Sequence, residues 1–321
     1  MGKCLVTKLS GSASRNDLLR IGEMRVGFIK VNNPNDYTQG LKLTCAKPTK
    51  IEIVGNGYFT DSQLQTNKGK SITVNDTADI YVSAGTEEIA ILNKYALNAI
   101  MAVSGSSSEK SKSLDVDLLK YSNNMQTLVL YNWKLEGDAS SLKDLTNLTV
   151  LNLTMSSISG DLSSISNLTK LVSLNCQYNN VKGDIASLSK LTSLATLSLS
   201  NVNGNLANLS GMSKLSTLQL PNSSIIGDLA VLSKNLTMAS FEYNTNTNLT
   251  WSSRPSDAYI ISILGNAQMK NIDQMLVDQA NCKASSSSNK IISVKGNRTS
   301  ASDVAIQTLQ SKGYTVSVTP A

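Results

Sequence analysis

A repeat of 23 residues fills the middle of this chain and sets the limits on what it can fold into. Read in the register L-x-x-L-x-L, its copies start at Met125, Leu148, Leu171, Leu194, Leu215 and Met238, at steps of 23, 23, 23, 21 and 23 residues. The first five copies each reach a glycine followed by an acid or amide: Gly137-Asp138, Gly160-Asp161, Gly183-Asp184, Gly204-Asn205 and Gly227-Asp228. A fixed period of this length marks a solenoid, in which each unit buries its apolar face only against its neighbours. Period-2 leucines such as Leu128 and Leu130 are predicted to point inward from a parallel sheet. Leu128, Leu151, Leu174, Leu197, Leu218 and Phe241 should then line one core. Eight or nine strands are expected between Ala99 and Val318, with Val129, Asn152, Asn175, Ser198, Gln219 and Glu242 facing out. The glycine permits a tight turn, and Leu162, Ile165 and Leu168 close the core from the return side.

The flanks read differently. Residues 1–33 show a strand pattern, a polar stretch and a second strand pattern, over 3–9 and 24–31. Apolar strands with open edges tend to be completed by another chain, so this stretch is predicted to anchor or assemble the protein. Residues 34–95 alternate in Leu41-Lys-Leu-Thr-Cys, Ile51-Glu-Ile-Val, Ser71-Ile-Thr-Val and Glu88-Ile-Ala-Ile, which predicts a small, separate antiparallel sandwich. Leu97-Asn-Ala-Ile100 fits the repeat register loosely, so the repeats are placed over 96–257. Residues 113–121 read as a short helix capped by Ser113. After Phe241-Glu-Tyr243 the repeat loosens. The phrases Ile260-Ile-Ser-Ile and Ile291-Ile-Ser-Val echo each other 31 residues apart, around a helix striped by Ile272, Met275, Leu276 and Ala280. A last helix over 302–312, capped by Ser302 and stopped by Gly313, precedes a final strand. Residues 258–321 are thus predicted to form α/β capping repeats.

Composition removes whole classes of chemistry. The chain has no histidine, so Ser-His-Asp, Cys-His and His-metal sites are excluded. With no nucleophile motif either, the chain is not expected to be an enzyme or to carry a cofactor. Cys4, Cys45, Cys176 and Cys282 form no C-x-x-C pair, and Cys176 stands at a leucine position of its repeat, where it is predicted to be a buried apolar residue. The net charge of +6 is spread evenly, with 15 basic and 12 acidic residues up to Lys120 and 14 and 11 after it, so no basic stripe for nucleic acid stands out. No segment has the length and apolarity to span a bilayer. The N-terminal residues lack a sustained apolar run, so synthesis without classical secretion is expected.

Two constellations compete as sites. Asp138, Asp161, Asp184 and Asp228 would stack about 5 Å apart in a solenoid, a spacing that suits either a Ca²⁺ ladder or a series of caps. Asn205 replaces one member without disturbing the repeat, which favours caps. A recognition surface is predicted from Tyr131, Trp133, Asn152, Asn175, Tyr178, Gln219 and Glu242, an aromatic and amide set suited to a protein or glycan. Tyr243 and Trp251 form a second such candidate.

The pattern L-x-x-L-x-L followed by x-Gly-Asp-[Ile/Leu]-x-x-[Leu/Ile] resembles leucine-rich repeats, over Leu97 to Ala321. The resemblance implies an α/β leucine-rich-repeat solenoid, with a parallel sheet and short helical or irregular return segments, preceded here by the N-terminal all-β sandwich-like domain. The asparagine that usually follows the strand is irregular: Cys176-Gln-Tyr-Asn179 and Leu220-Pro-Asn222 have one, and Leu153-Thr-Met-Ser does not. The opening Gly2-Lys-Cys-Leu-Val-Thr-Lys-Leu, the phrase Ile91-Leu-Asn-Lys-Tyr95 and the ending Thr299-Ser-Ala-Ser-Asp303…Lys312-Gly-Tyr-Thr-Val are similar to virion-associated proteins of gut Bacteroidota tailed phages of the crAss-like type. That resemblance implies a virion structural protein, a head or tail appendage or fibre. Residues 1–95 would hold other virion proteins or sibling subunits, and the solenoid would project toward a host-surface protein or glycan. The other reading is a bacterial leucine-rich-repeat protein that binds a protein or glycan through its concave face. Neither reading involves nucleic acid or membrane insertion.

Overall fold

The structure, a computed structural model, describes the strands between residues 27 and 102 and, apart from residues 120–121, 245–247 and 287, the chain from Ser113 to Ala321. The N-terminal strands are β1 (Gly27–Lys30), β2 (Leu41–Cys45), β3 (Thr49–Val54), β4 (Phe59–Thr60), β5 (Ser71–Val74), β6 (Ala78–Val82), β7 (Glu88–Ile91) and β8 (Leu97–Ala102). The repeats follow as β9 (Ser113–Asp115), β10 (Thr127–Val129), β11 (Lys134–Glu136), β12 (Val150–Asn152), β13 (Ser159–Asp161), β14 (Ser173–Cys176), β15 (Asn180–Asp184), β16 (Thr196–Leu199), β17 (Val202–Asn205), β18 (Thr217–Gln219), β19 (Ser224–Asp228), β20 (Met238–Ser240) and β21 (Asn248–Thr250). The chain closes with β22 (Ser262–Gln268), α1 (Ile272–Asn281), β23 (Ile291–Lys295), α2 (Asp303–Ser311) and β24 (Thr315–Thr319).

One sheet organises the molecule. Its order is β24-β23-β22-β20-β18-β16-β14-β12-β10-β8-β2-β6-β4. From β8 to β24 every neighbour is parallel, which makes ten solenoid strands where eight or nine were expected. The sheet does not stop at the solenoid. Strand β8 also pairs antiparallel with β2, so the sheet runs on from the repeats into the N-terminal strands. A second sheet does the same on the return side, in the order β11-β9-β1-β7-β3-β5. In it β1 lies between β7 and β9, so this strand's two edges are taken by its own chain. The assembly role assigned to residues 1–33 therefore rests on residues outside the described ones.

The register explains the core. Leu128 pairs with Leu151, Leu151 with Leu174, Leu174 with Leu197 and Leu197 with Leu218, and all five are fully buried. Each such side chain contributes roughly 1.5–3 kcal/mol through burial. The sixth member of this row is Ala239, opposite Leu218, and not Phe241. Phe241 stands two residues on, in the row of Leu130, Leu153, Cys176, Leu199 and Leu220, and is fully buried there. Cys176 sits buried in that row as expected, and burial pushes its thiol up to about 12.

After each repeat strand the chain turns through a left-handed residue, with a second at Ser157 in the copy of Met155, makes a short second strand, and reaches the glycine-acid pair. The glycines hold φ between +106° and +139°, a region that residues with a Cβ rarely enter. Short 3₁₀ helices then start at Ala139, Leu162, Ile185, Leu206 and Leu229 and return the chain across the back of the core. The region expected as a helix after Ser113 is instead β9 followed by a 3₁₀ turn over Val116–Leu119, the same strand-then-turn unit as in later copies. At the other end the 31-residue echo is not the pairing: Ile263 lies opposite Ile292 and Ala267 opposite Val294, with a bulge between. Helix α1 buries Ile272, Met275, Leu276 and Ala280 as predicted. Helix α2 begins after Ser302, whose side chain bonds Asp273 rather than its own helix start, so it is no side-chain cap.

Candidate binding face and its rim

Two outward rows of the six repeat strands carry no charge. One row holds Thr127, Val150, Ser173, Thr196, Thr217 and Met238, and the next holds Val129, Asn152, Asn175, Ser198, Gln219 and Ser240. Lys182 and Lys190, by contrast, lie exposed behind the strand, on the turn and return segment. The amides on the face are held by neighbours. Thr154 Oγ1 lies 2.8 Å from Asn152 Oδ1 and 2.7 Å from Asn175 Oδ1, and Ser198 Oγ donates to Gln219 Oε1 at 3.0 Å. With their oxygens engaged, Asn152 and Asn175 keep their Nδ2 hydrogens for an acceptor that lies on the sheet. Ser198, expected to face out freely, is buried beneath its neighbours.

The left-handed residues form a ladder along one edge of this face. They are Asn132, Met155, Tyr178, Asn201, Asn222 and Tyr243, one per copy, with φ between +54° and +60°. Asparagine tolerates this conformation, whereas a bulky side chain costs roughly 1–2 kcal/mol there. Three copies nevertheless place Met155, Tyr178 and Tyr243 at it, exposed by 40%, 47% and 74%. Tyr131 adds to the row, 49% exposed, with its hydroxyl 3.3 Å from Met155 Sδ.

The left-handed turn also decides which neighbours face inward. Immediately after it come Trp133, Ser156, Asn179, Val202, Ser223 and Asn244, one position that the turn directs into the core. Asn179 donates through Nδ2 to Leu153 O at 2.5 Å and accepts from Ser156 N–H at 2.8 Å, and Asn244 donates in the same way to Leu220 O at 2.9 Å. These two asparagines span adjacent copies; Asn222 does not. Trp133 occupies this position in the first full copy and is 3% exposed, so it belongs to the core and not to the predicted surface. Trp251 is likewise buried, donating Nε1–H to Asp278 Oδ2 at 2.8 Å. Of the remaining predicted residues, Asn152, Asn175 and Gln219 share one row. Tyr131 and Glu242 lie at opposite ends of the row one step nearer the rim, and Tyr178 is on the rim itself. Met155 escaped sequence reasoning because an exposed methionine carries no polar signal. Its repeat position, shared with Tyr178, would have found it.

The carboxylate series is a series of caps. Asp138, Asp161, Asp184, Asn205 and Asp228 accept through Oδ1 from the backbone N–H two residues on, at 2.7–2.9 Å. The Ser163 bonds hold the Asp161 carboxyl below its ordinary range. Among the described residues no three His, Cys, Asp or Glu side chains converge as a cation would require.

One sheet strand, one left-handed turn, one glycine with its cap and one 3₁₀ return for each L-x-x-L-x-L copy decide the architecture. The chain is a leucine-rich-repeat solenoid. No protein-family model matches its sequence, and no curated protein does. Among solved structures it is similar to an internalin, inlF, of Listeria monocytogenes, at 19% identity and TM-score 0.45, over 72% of this chain and 70% of that one. It is also similar to internalin C2 of the same organism, at 19% identity and TM-score 0.40, over 63% and 86%. A third is the leucine-rich-repeat ectodomain of the Arabidopsis receptor kinase HAESA, solved with a peptide hormone ligand, at 24% identity and TM-score 0.41, over 57% and 33%. The chain spans only 25% of the Arabidopsis GASSHO1/SCHENGEN3 ectodomain and 32% of the TDR receptor structure. No helix among the described residues is long and apolar enough to cross a membrane.

Proposed function

We propose that this solenoid is a binding protein that holds an extended, weakly charged protein segment against the open face of its sheet, with Tyr131, Met155, Tyr178 and Tyr243 as the rim contacts. The observation that carries the reading is the choice of residue at the left-handed rim. Asparagine serves that position in three copies at little cost, and three copies give it up for large exposed side chains. Exposed aromatic and methionine side chains are the usual anchors of interfaces. The uncharged rows beside them favour a partner that brings backbone carbonyls and small side chains instead of charge. The Nδ2 groups of Asn152 and Asn175 supply donors for those carbonyls.

A display library of peptides selected on the immobilised chain tests this. Selected peptides should lose binding to the Tyr131→Ala/Tyr178→Asn variant and keep it toward Lys190→Ala on the return side. Peptides indifferent to the first variant would remove the face and rim from the function.

A setting for this activity, as an appendage on the virion of a Bacteroidota tailed phage, rests on the similarity of the opening, Ile91–Tyr95 and closing phrases. In that setting residues 1–95 attach to the particle and the face meets a host-surface protein or glycan. Mass spectrometry of purified particles decides it: absence of the chain from virions would end the virion reading and leave the binding reading standing.

A further inference from the structure

We propose that two copies of this chain join edge to edge through β24, by a two-fold axis that passes through Ser317. Strand β24 is the last strand of the sheet, bonded to β23 on one side, and among the described residues no strand pairs with its other edge. Natural sheets blunt such edges with lysine, proline or very short strands. At the opposite end of this sheet the last strand, β4, has two residues. The five residues of β24 carry no charge and no proline.

The sequence of the strand is Thr-Val-Ser-Val-Thr, the same in both directions. A two-fold interface needs residue i to meet residue j while j meets i, and an antiparallel pair centred on Ser317 meets that condition at every position. Thr315 would lie opposite Thr319 of the second copy, and Val316 opposite its Val318. The backbone directions agree with this register. Thr315 N–H donates to Lys290 O at 2.8 Å, and Thr319 O accepts from Gly296 N–H at 2.8 Å, so both residues point their polar groups at β23. Strand alternation then aims the N–H and C=O of Val316 and Val318 at the open edge. In the proposed register those two residues are direct opposites and exchange both bonds, while the Ser317 pair is the close, non-bonded pair on the axis. Pro320, which has no N–H to offer, follows where the pairing ends.

The core asks for the same completion. Val316 and Val318 lean on the solenoid core but stay half-buried, as does Ile306 of α2. Terminal repeats of a solenoid are normally polar on their outer side. Pairing about Ser317 would set Val316 and Val318 beside their counterparts and run the two cores together. Thr315, Ser317 and Thr319 would remain on the open face, so both binding faces would look the same way. A strand edge with one helix flank is at the small end of specific interfaces, below roughly 1,200 Å² in total, so the dimer should depend on concentration.

The test uses charge at the axis. Ser317 is exposed, so Ser317→Lys and Ser317→Glu should each fold and melt like the parent. Like charges directly opposite repel across a strand pair, so each variant alone should dissociate at least about tenfold more readily in analytical ultracentrifugation. An equimolar mixture of the two should restore the dimer. Ser317→Cys should form, on mild oxidation, an intermolecular disulfide that joins the two substituted positions. A parent chain that stays monomeric up to about 300 µM, far above the micromolar range of weak specific pairs, would overturn the proposal. So would oligomers that neither charge variant weakens.

Discussion

A methyl group on Gly160 would stand 2.9 Å from Cγ of Asp138, the residue that caps the return turn of the preceding copy. The glycine and the cap are therefore interlocked across repeats. Gly204 meets Asp184, and Gly227 meets Asn205, in the same way. The glycine is needed for its positive φ and also for the space that the neighbouring cap occupies. Gly160→Ala should destabilise by at least about 2 kcal/mol, combining backbone strain with displacement of the cap. Gly211→Ala, where the backbone is ordinary and the nearest atom, Thr192 Cγ2, is 3.9 Å away, should be neutral or slightly stabilising. Urea unfolding of both variants measures the difference.

The cap itself should tolerate exchange of acid for amide. Asp184 accepts from Ala186 N–H at 2.7 Å, and Asn205 does the same for Ala207 at 2.9 Å. Asp184→Asn should be nearly neutral and Asp184→Ala should cost about 1 kcal/mol. A large loss in Asp184→Asn, with added Ca²⁺ stabilising the parent and not the variant, would speak for a metal ladder instead.

A buried cation with no carboxylate partner among the described residues holds the last regular copy. Arg254 donates to the carbonyls of Leu232, Ser233, Leu236 and Tyr259 at 3.0–3.3 Å, and burial lowers its pKa. Arg254→Ala should cost roughly 3–5 kcal/mol, since each carbonyl left unpaired costs about 1–3 kcal/mol where water does not reach it. Arg254→Lys should recover little of this, because an ammonium cannot span the same fork. Thermal melts of the two variants decide whether the donors or the charge matter.

Acid should loosen the C-terminal clasp. Asp273, in the first turn of α1, accepts from Ser302 Oγ at 2.6 Å and from the N–H and hydroxyl of Thr299. The Ser302 bond first, then those of Thr299 and the Arg298 charge, hold its carboxyl below the ordinary range. A carboxyl depressed in the folded state stabilises fully above the unfolded value, near pH 4, and that stabilisation is lost as pH falls through the folded value. The difference in melting temperature between the parent and Asp273→Asn should therefore be constant at neutral pH and shrink below about pH 4.

Much of this molecule was legible because one period repeats. The buried leucines, the caps at Asp138 to Asp228 and the parallel sheet all follow from residues that recur at 23. What did not follow was anything decided by a single turn residue or by pairing between non-repeating segments. Trp133 read as surface because aromatic residues behind a strand often are, yet the left-handed Asn132 before it turns it inward. Phe241 read as the partner of Leu218 because the last copy is irregular, and only the strand register shows Ala239 in that place. The Ile260 and Ile291 phrases match as text, while the bulge in β22 shifts their pairing. The rim was half visible: Tyr131 and Tyr178 stood out as aromatics, and Met155 did not, although it holds the repeat position of Tyr178.

The claim that the rim is built for a partner is tested most directly by Tyr178→Asn, with stability and binding measured on the same variant. Relief of a strained position should leave the melting temperature unchanged or raise it by about 2 °C. Affinity for a segment selected on the parent face should fall at least about tenfold, or roughly 1.4 kcal/mol. Unchanged affinity in the variant, with the melting temperature lowered, would mean that Tyr178 serves the fold and that the binding account is wrong.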